Sequence, residues 1–91
     1  MKVIYKYKLN YNPIQTLTNI SMVQPLSIQL QDGIPVLWCI IDEANVEPCN
    51  YTISCIWTGE PFLDSIGWYI GTIQDVLVYH YFIKADSKNE S

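Results

Sequence analysis

The chain has no arginine, one histidine and five lysines, and charged residues fill only 15% of its 91 positions. The lysines stand at the ends, Lys2, Lys6 and Lys8 near one and Lys84 and Lys88 near the other. Between them come Asp32, Asp42, Glu43, Glu47, Glu60, Asp64 and Asp75 with no lysine to offset them, and the net charge is −4. Binding a nucleic-acid duplex needs cations spread along the footprint to displace counterions from phosphates. This chain has no such footprint, which excludes DNA and RNA duplexes as partners. Lys6, Lys8 and Lys84 would make one small basic patch if the first and last strands adjoined, enough for a small anion.

Long hydrophobic runs are missing as well. Nothing approaches the ~18–20 apolar residues of a membrane span, and residues 1–25 lack the apolar segment of a signal peptide. Intrinsic disorder is excluded too, because 49% of the residues are hydrophobic. The expectation is one soluble domain in the cytoplasm, residues 1–84, followed by a polar disordered tail, residues 85–91, with no membrane partner. Three sequons, at Asn19, Asn50 and Asn89, are then coincidental.

Cysteine and histidine are too few and too scattered for metal chemistry. Cys39, Cys49 and Cys55 lack C-x-x-C spacing and His80 is alone, whereas a structural zinc site takes four such ligands. Cys39 and Cys55 lie in apolar runs, where a free cysteine packs as a small hydrophobe. The four glycines form neither a P-loop nor a dinucleotide-binding pattern, so no cofactor is expected. His80 sits in the most apolar segment and reads as a packed or hydrogen-bonded histidine. Nothing in the sequence pairs it with Cys39 or Cys55 as a nucleophile–base dyad. Asp42-Glu43 reads as a solvated acidic pair. The chain is therefore read as not an enzyme.

What the sequence does have is alternation. Val3, Tyr5, Tyr7 and Leu9 alternate with Lys2, Ile4, Lys6 and Lys8, the period of a half-buried strand. A turn at Asn10–Pro13 leads into a short strand at Gln15–Ile20, and Pro25 suits an edge or a connection. Leu26–Gln31 and Ile34–Ile41 flank Asp32-Gly33, the signature of a type I′ hairpin, whose two central residues both need positive φ. That turn sets Gln31 opposite Ile34 and Ser27 opposite Trp38. Leu26, Ile28, Leu30, Pro35, Leu37, Cys39 and Ile41 then share one face. The other face carries Gln29 with Val36 and Trp38, too apolar for open water and too polar for a dry core. It reads either as covered by another part of the chain or as an interface.

Tyr51–Trp57 is a further alternating strand, and Thr58-Gly59-Glu60-Pro61 breaks it. One helical turn is expected within Pro61–Ile66. Trp68–Gln74 and Val76–Lys84 read as a final strand pair around Asp75, the last strand apolar on both faces and so central in its sheet. The predicted fold is all-β: a small antiparallel β-sandwich or barrel of about seven short strands, with at most one short helical turn.

Binding is the chemistry the composition favours. Three Trp, seven Tyr and two Phe exceed what a small core requires, and Trp and Tyr stack well on a nucleobase. Thr58, Gly59 and Glu60 at a strand end offer backbone N–H groups to a phosphate or ribose hydroxyl, the acid favouring a ribose diol. Trp57, Trp68 and Tyr69 flank that loop, and Lys6 or Lys8 would reach the anionic part of a ligand.

Three blocks carry a resemblance: Ile4-Tyr5-Lys6-Tyr7 followed by Gln15; Leu26-Ser27-Ile28-Gln29 with Gly33, Pro35, Leu37-Trp38 and Asp42; and Thr58-Gly59-x-Pro61, Tyr69-Ile70-Gly71-Thr72-x-Gln74 and Val78-x-His80. Together, over nearly the whole chain to about Phe82, they resemble a family of small phage and prophage proteins without an assigned activity. That family often has histidine before the loop proline, where this chain has Glu60. The resemblance implies a phage accessory protein in the host bacterial cytoplasm. There it would act against host defence as a non-catalytic homo-oligomer that sequesters a nucleotide-derived immune signal, such as a cyclic ADP-ribose isomer or a cyclic oligonucleotide. The alternative is a protein–protein module that inhibits a host protein through the Gln29, Val36 and Trp38 face or an exposed strand edge.

Overall fold

The computed structural model describes residues 1–86. Seven strands carry the chain: β1 (Val3–Lys8), β2 (Ile14–Ile20), β3 (Met22–Gln31), β4 (Ile34–Ile41), β5 (Cys49–Trp57), β6 (Trp68–Gln74) and β7 (Val78–Ala85). The only helical element among the described residues is a 3₁₀ turn at Asp64–Ile66, inside the window expected for it. Every pairing is antiparallel. One sheet has the order β1-β4-β3 and the other β2-β5-β7-β6, so the fold is all-β, as the alternation predicts.

The Asp32-Gly33 hairpin forms in the expected register, with Gln31 opposite Ile34 and Ser27 opposite Trp38. Both turn residues have positive φ, 52° and 77°, as a type I′ turn demands. Pro25 lies inside β3, which starts earlier than the alternation suggests. It is tolerated because β3 is a sheet edge and the pairing is irregular on either side of it. The chain changes sheets between β2 and β3. Asn19 takes φ 60° there, its N–H donates to Asn50 Oδ1, and the buried Ser21 carbonyl accepts the Asp42 N–H.

The core fills the space between the sheets, centred on Leu37, Cys39, Ile53, Ile73, Tyr81 and Ile83, all 4% exposed or less. The sheets approach most closely where β3 meets β6, and a methyl on Gly71 would sit 3.0 Å from Ile28 Cβ. Elsewhere they overlap only in part. Val3 and Tyr5 share a face with their register partners Ile41 and Cys39, yet remain 50% and 55% exposed. Leu26 and Leu30, expected inside with Ile28, are likewise exposed on the β3 edge. Alternation sets which side a residue faces; whether that side is covered depends on the opposite sheet.

β7 lies between β5 and β6, the central position its two apolar faces predict. Ala85, assigned above to the tail, is its last residue, and the Asp86 N–H donates to the Asn50 carbonyl. The ladder thus runs past the expected boundary because β5 still has a partner group to offer. The remainder of that tail, 87–91, lies outside the described residues.

Candidate functional site

Strand parity divides β7 into two surfaces. Tyr79, Tyr81 and Ile83 face the core, while His80 and Phe82 face outward from the four-stranded sheet. Cross-strand pairing sets Ile56 beside His80, Thr72 on its other side, and Tyr69 beside Phe82. The segment after β5 then folds back over this face and brings Phe62 within 5.2 Å of Phe82, ring centre to ring centre, at 40°. Tyr69 meets Phe82 from the other side at 5.7 Å, edge to face. These are favourable aromatic geometries.

The turn that starts this segment is closed by its own side chain. Glu60 Oε1 accepts the Trp57 N–H at 3.1 Å, and the Glu60 N–H donates to the Trp57 carbonyl at 3.1 Å. The Thr58 N–H donates to the Val78 carbonyl. With Pro61 lacking an N–H, the loop has little left of the amide cradle expected for a phosphate. Two of its three amides, those of Thr58 and Glu60, are spent holding its shape.

Gly67 ends the excursion with φ 113° and a Cβ position 2.4 Å from the Ile83 carbonyl oxygen. Only a residue without a side chain lets the chain re-enter the sheet so close to β7.

A cleft of about 320 Å³ results, walled by Ile56, Trp57, Phe62, Tyr69 and Phe82 and floored by Thr58, Gly59, Glu60 and His80. His80 is gripped at both nitrogens, by Thr58 Oγ1 at Nε2 (2.8 Å) and Thr72 Oγ1 at Nδ1 (2.9 Å). Thr72 in turn bonds the Tyr69 hydroxyl. Hydroxyls both donate and accept, so this four-residue chain is satisfied with a proton on either ring nitrogen. It orients the imidazole firmly and leaves neither nitrogen idle. His80 is the hydrogen-bonded histidine expected from the sequence. Cys55 lies on the opposite face of its strand and Cys39 in the other sheet, so neither meets it.

Of the residues singled out for ligand binding, Trp57, Thr58, Gly59, Glu60 and Tyr69 come together. The other three do not. Lys6 and Lys8 belong to β1, in the opposite sheet, and Lys6 passes over the Trp38 ring at 5.7 Å to bond Gln31. Lys84 bonds the Ser65 carbonyl instead, so the three lysines form no common patch. Trp68, one residue from Tyr69, points to the other side of the sheet and lines a separate cleft between the sheets. The Gln29, Val36 and Trp38 face is partly closed by its own neighbours: Val36 is 2% exposed and Trp38 half-buried.

Phe62, Thr72 and Phe82 also belong to the site, beyond the residues the sequence singles out for ligand binding. Phe82 was legible, since it alternates with His80; Thr72 needs the register of β6 on β7, and Phe62 needs the path of the loop. Among the described residues no three His, Cys, Asp or Glu side chains gather as a metal site.

Fold and site together define a two-sheet, all-β protein with an aromatic and hydroxyl-lined cleft on one outer sheet face. The chain belongs to the family described as domain of unknown function DUF7352, whose model matches residues 1–91. No curated protein and no solved structure matches the chain.

Proposed function

We propose that the protein binds a small nucleotide-derived ligand without turning it over, the base lying against the Phe62, Phe82 and Tyr69 rings under Trp57, and the ribose hydroxyls on Thr58 and Glu60. The observation that carries this reading is the convergence, in one outer-face cleft, of four aromatic rings with an oriented hydroxyl–imidazole chain. Glu60 is the one charged side chain lining the cleft, and no lysine does. Base and ribose are therefore the recognised parts, and a phosphate projects outward. The setting comes from the family resemblance alone: a phage accessory protein, in the host cytoplasm, sequestering an immune signal as a homo-oligomer.

Catalysis is disfavoured by the same hydrogen bonds. Thr58–His80–Thr72 has the outline of a nucleophile, base and orienting group, but the third position is a neutral hydroxyl, where a carboxylate would stabilise the imidazolium. Glu60, the one acid lining the cleft, bonds the Trp57 N–H through Oε1 rather than His80, whose two nitrogens are taken by threonine hydroxyls. A second reading, a protein–protein module, is favoured by the apolar surface beside the cleft, where Leu63 and Val76 are 77% and 91% exposed.

Titration calorimetry with adenosine, ADP-ribose, cyclic ADP-ribose and a cyclic dinucleotide tests the proposal, with nucleotide integrity checked by chromatography afterwards. Saturable binding of at least one, lost on Phe82→Ala with the fold retained, is the expected result. One stacked base is worth about 1–3 kcal/mol, so affinity should fall roughly 5- to 150-fold. Absence of binding across the panel refutes the reading, and consumption of any nucleotide replaces it with an enzyme.

A further inference from the structure

Four strands form the sheet edges: β1 and β3 in one sheet, β2 and β6 in the other. Three of them are irregular. β3 carries Pro25 and shifts register on either side of it, β2 shifts between Leu17 and Ile20, and β6 shifts between Tyr69 and Gly71. Bulges and prolines of this kind blunt an edge against further pairing. β1 runs its six residues against β4 without a shift. It lies in the sheet opposite the outer-face cleft and shares no residue with it.

The phase of that pairing fixes which backbone groups are free. The Leu9 N–H continues the ladder by donating to the Pro35 carbonyl at 2.8 Å, so the odd residues of β1 bond β4. The Asp32-Gly33 hairpin gives the same answer from the other side. Its closing pair, Gln31 and Ile34, turns the even residues of β4 toward β3 and leaves the odd ones for β1. The N–H and C=O groups of Ile4, Lys6 and Lys8 therefore point out of the sheet, about 6.8 Å apart. Ile4 on one face of this edge and Val3 and Tyr5 on the other are exposed.

Charge selects the occupant. Among the described residues the single ion pair joins the amino terminus to Asp42, so neither Lys6 nor Lys8 has a carboxylate within 4.0 Å. Lys6 donates to a neutral acceptor, Gln31 Oε1, and keeps two further N–H groups. A second copy of the strand is opposed by like charge. Antiparallel self-pairing centred on Tyr5 sets Lys2 against Lys8, and centred on Lys6 it sets that lysine against its own copy.

We propose that the β1 edge binds an extended acidic segment of another protein, which adds to the sheet as a strand. Its Asp or Glu side chains, at alternate positions, face Lys6 and Lys8, and the apolar residues between them face Val3 and Tyr5. Backbone pairing supplies the attachment, and the two lysines select the sign of charge.

The test is amide hydrogen exchange by NMR on the full chain, titrated with capped heptapeptides in which valine alternates with glutamate, glutamine or lysine. In the free chain the Tyr5 and Tyr7 amides should exchange slowly and those of Ile4, Lys6 and Lys8 fast. The glutamate peptide should slow those three and bind tightest, with the lysine peptide weakest. Lys8→Gln should weaken the glutamate peptide about 2- to 5-fold, the worth of one exposed ion pair, and leave the glutamine peptide unchanged. Ile4→Pro removes an outward N–H and no bond to β4, so binding of every peptide should fall while the urea midpoint holds. Equal affinity for the glutamate and lysine peptides overturns the proposal. So does slow exchange at Ile4, Lys6 and Lys8 in the free chain, or failure of the glutamate peptide to slow them. Slowing of the same amides with protein concentration alone also overturns it, because a second copy would then occupy the edge. None of these readouts involves the outer-face site.

Discussion

Alanine at Gly67 should damage the fold far more than alanine at Gly33, although both glycines hold positive φ. At Gly33 (φ 77°) a Cβ meets nothing within 4 Å. The penalty there is conformational alone, about 1–2 kcal/mol for an L-residue kept left-handed. At Gly67 (φ 113°) the same methyl lands 2.4 Å from the Ile83 carbonyl oxygen and 2.9 Å from Lys84 Cβ. The obstacle is the backbone of an interior strand, with Ile83 paired to Ile53 on one side and Trp68 on the other. It yields only by breaking ladder hydrogen bonds, each worth about 0.5–1.5 kcal/mol net. One or two lost bonds on top of the conformational penalty bring the cost to about 3–4 kcal/mol. A domain of this length has roughly 5–10 kcal/mol in all. Urea unfolding followed by tryptophan emission separates the cases. At a slope of about 1–1.5 kcal/mol per molar, Gly33→Ala should lower the midpoint by roughly 1 M and Gly67→Ala by 2 M or more. Equal midpoints would show that the loop relaxes around the methyl and would sink the close-packing account of this junction.

Three further outcomes follow from burial and pairing. All three thiols are free, but burial pushes Cys39 up to about 11 and Cys55 also upward, while Cys49 is only half-buried. An aromatic disulfide reagent at neutral pH should therefore titrate one thiol rapidly and the other two only on unfolding; three fast thiols would contradict the packing. The Trp38 indole N–H is buried with no acceptor among the described residues. Trp38→Phe removes an orphan donor worth about 1–3 kcal/mol against it, offsetting the lost ring contact, so the urea midpoint should shift by less than about 1 kcal/mol equivalent. Alkali should weaken the fold through Tyr11 and Tyr51. Burial first, then the Asp75 bond for Tyr11 and the Cys49 bond for Tyr51, raise both phenols to about 12. Their folded values exceed the unfolded value near 10, so their contribution is full below pH 10 and is lost as the pH rises toward 12. Tyr11→Phe, which also lacks the 3.0 Å bond to Asp75, should flatten part of that decline.

Most of the fold could be read from local signals. Two-residue alternation and one Asp-Gly turn sufficed for strand type and for the β3–β4 register, because a type I′ turn allows no slack. The β6–β7 register was harder. A pair turning on Asp75 alone sets Thr72 against Val78, whereas the actual turn takes in Asp75–Leu77, with the Asp75 N–H on the Leu77 carbonyl, and sets Thr72 against His80. That two-residue slip preserves every face but hides the Thr72–His80–Thr58 chain. The parting of Trp68 from Tyr69 was legible in the alternation, but the separation of Lys6 and Lys8 from the loop was beyond local reading. It follows from which sheet each strand joins and where the sheets part, both set by long-range pairing. Trp68 and Tyr69 are neighbours in sequence, but a strand sends neighbours to opposite sides.

That same parity partitions β7 into two independent alphabets. Changes at positions 79, 81 and 83 rewrite the packed interior; changes at 80 and 82 rewrite only what the cleft presents to solvent. Selection, or a designer, can therefore explore new ligands at the even positions without reopening the folding problem at the odd ones. A single-residue insertion in this strand is the one lesion that forfeits both at once, because it exchanges the two alphabets along everything downstream.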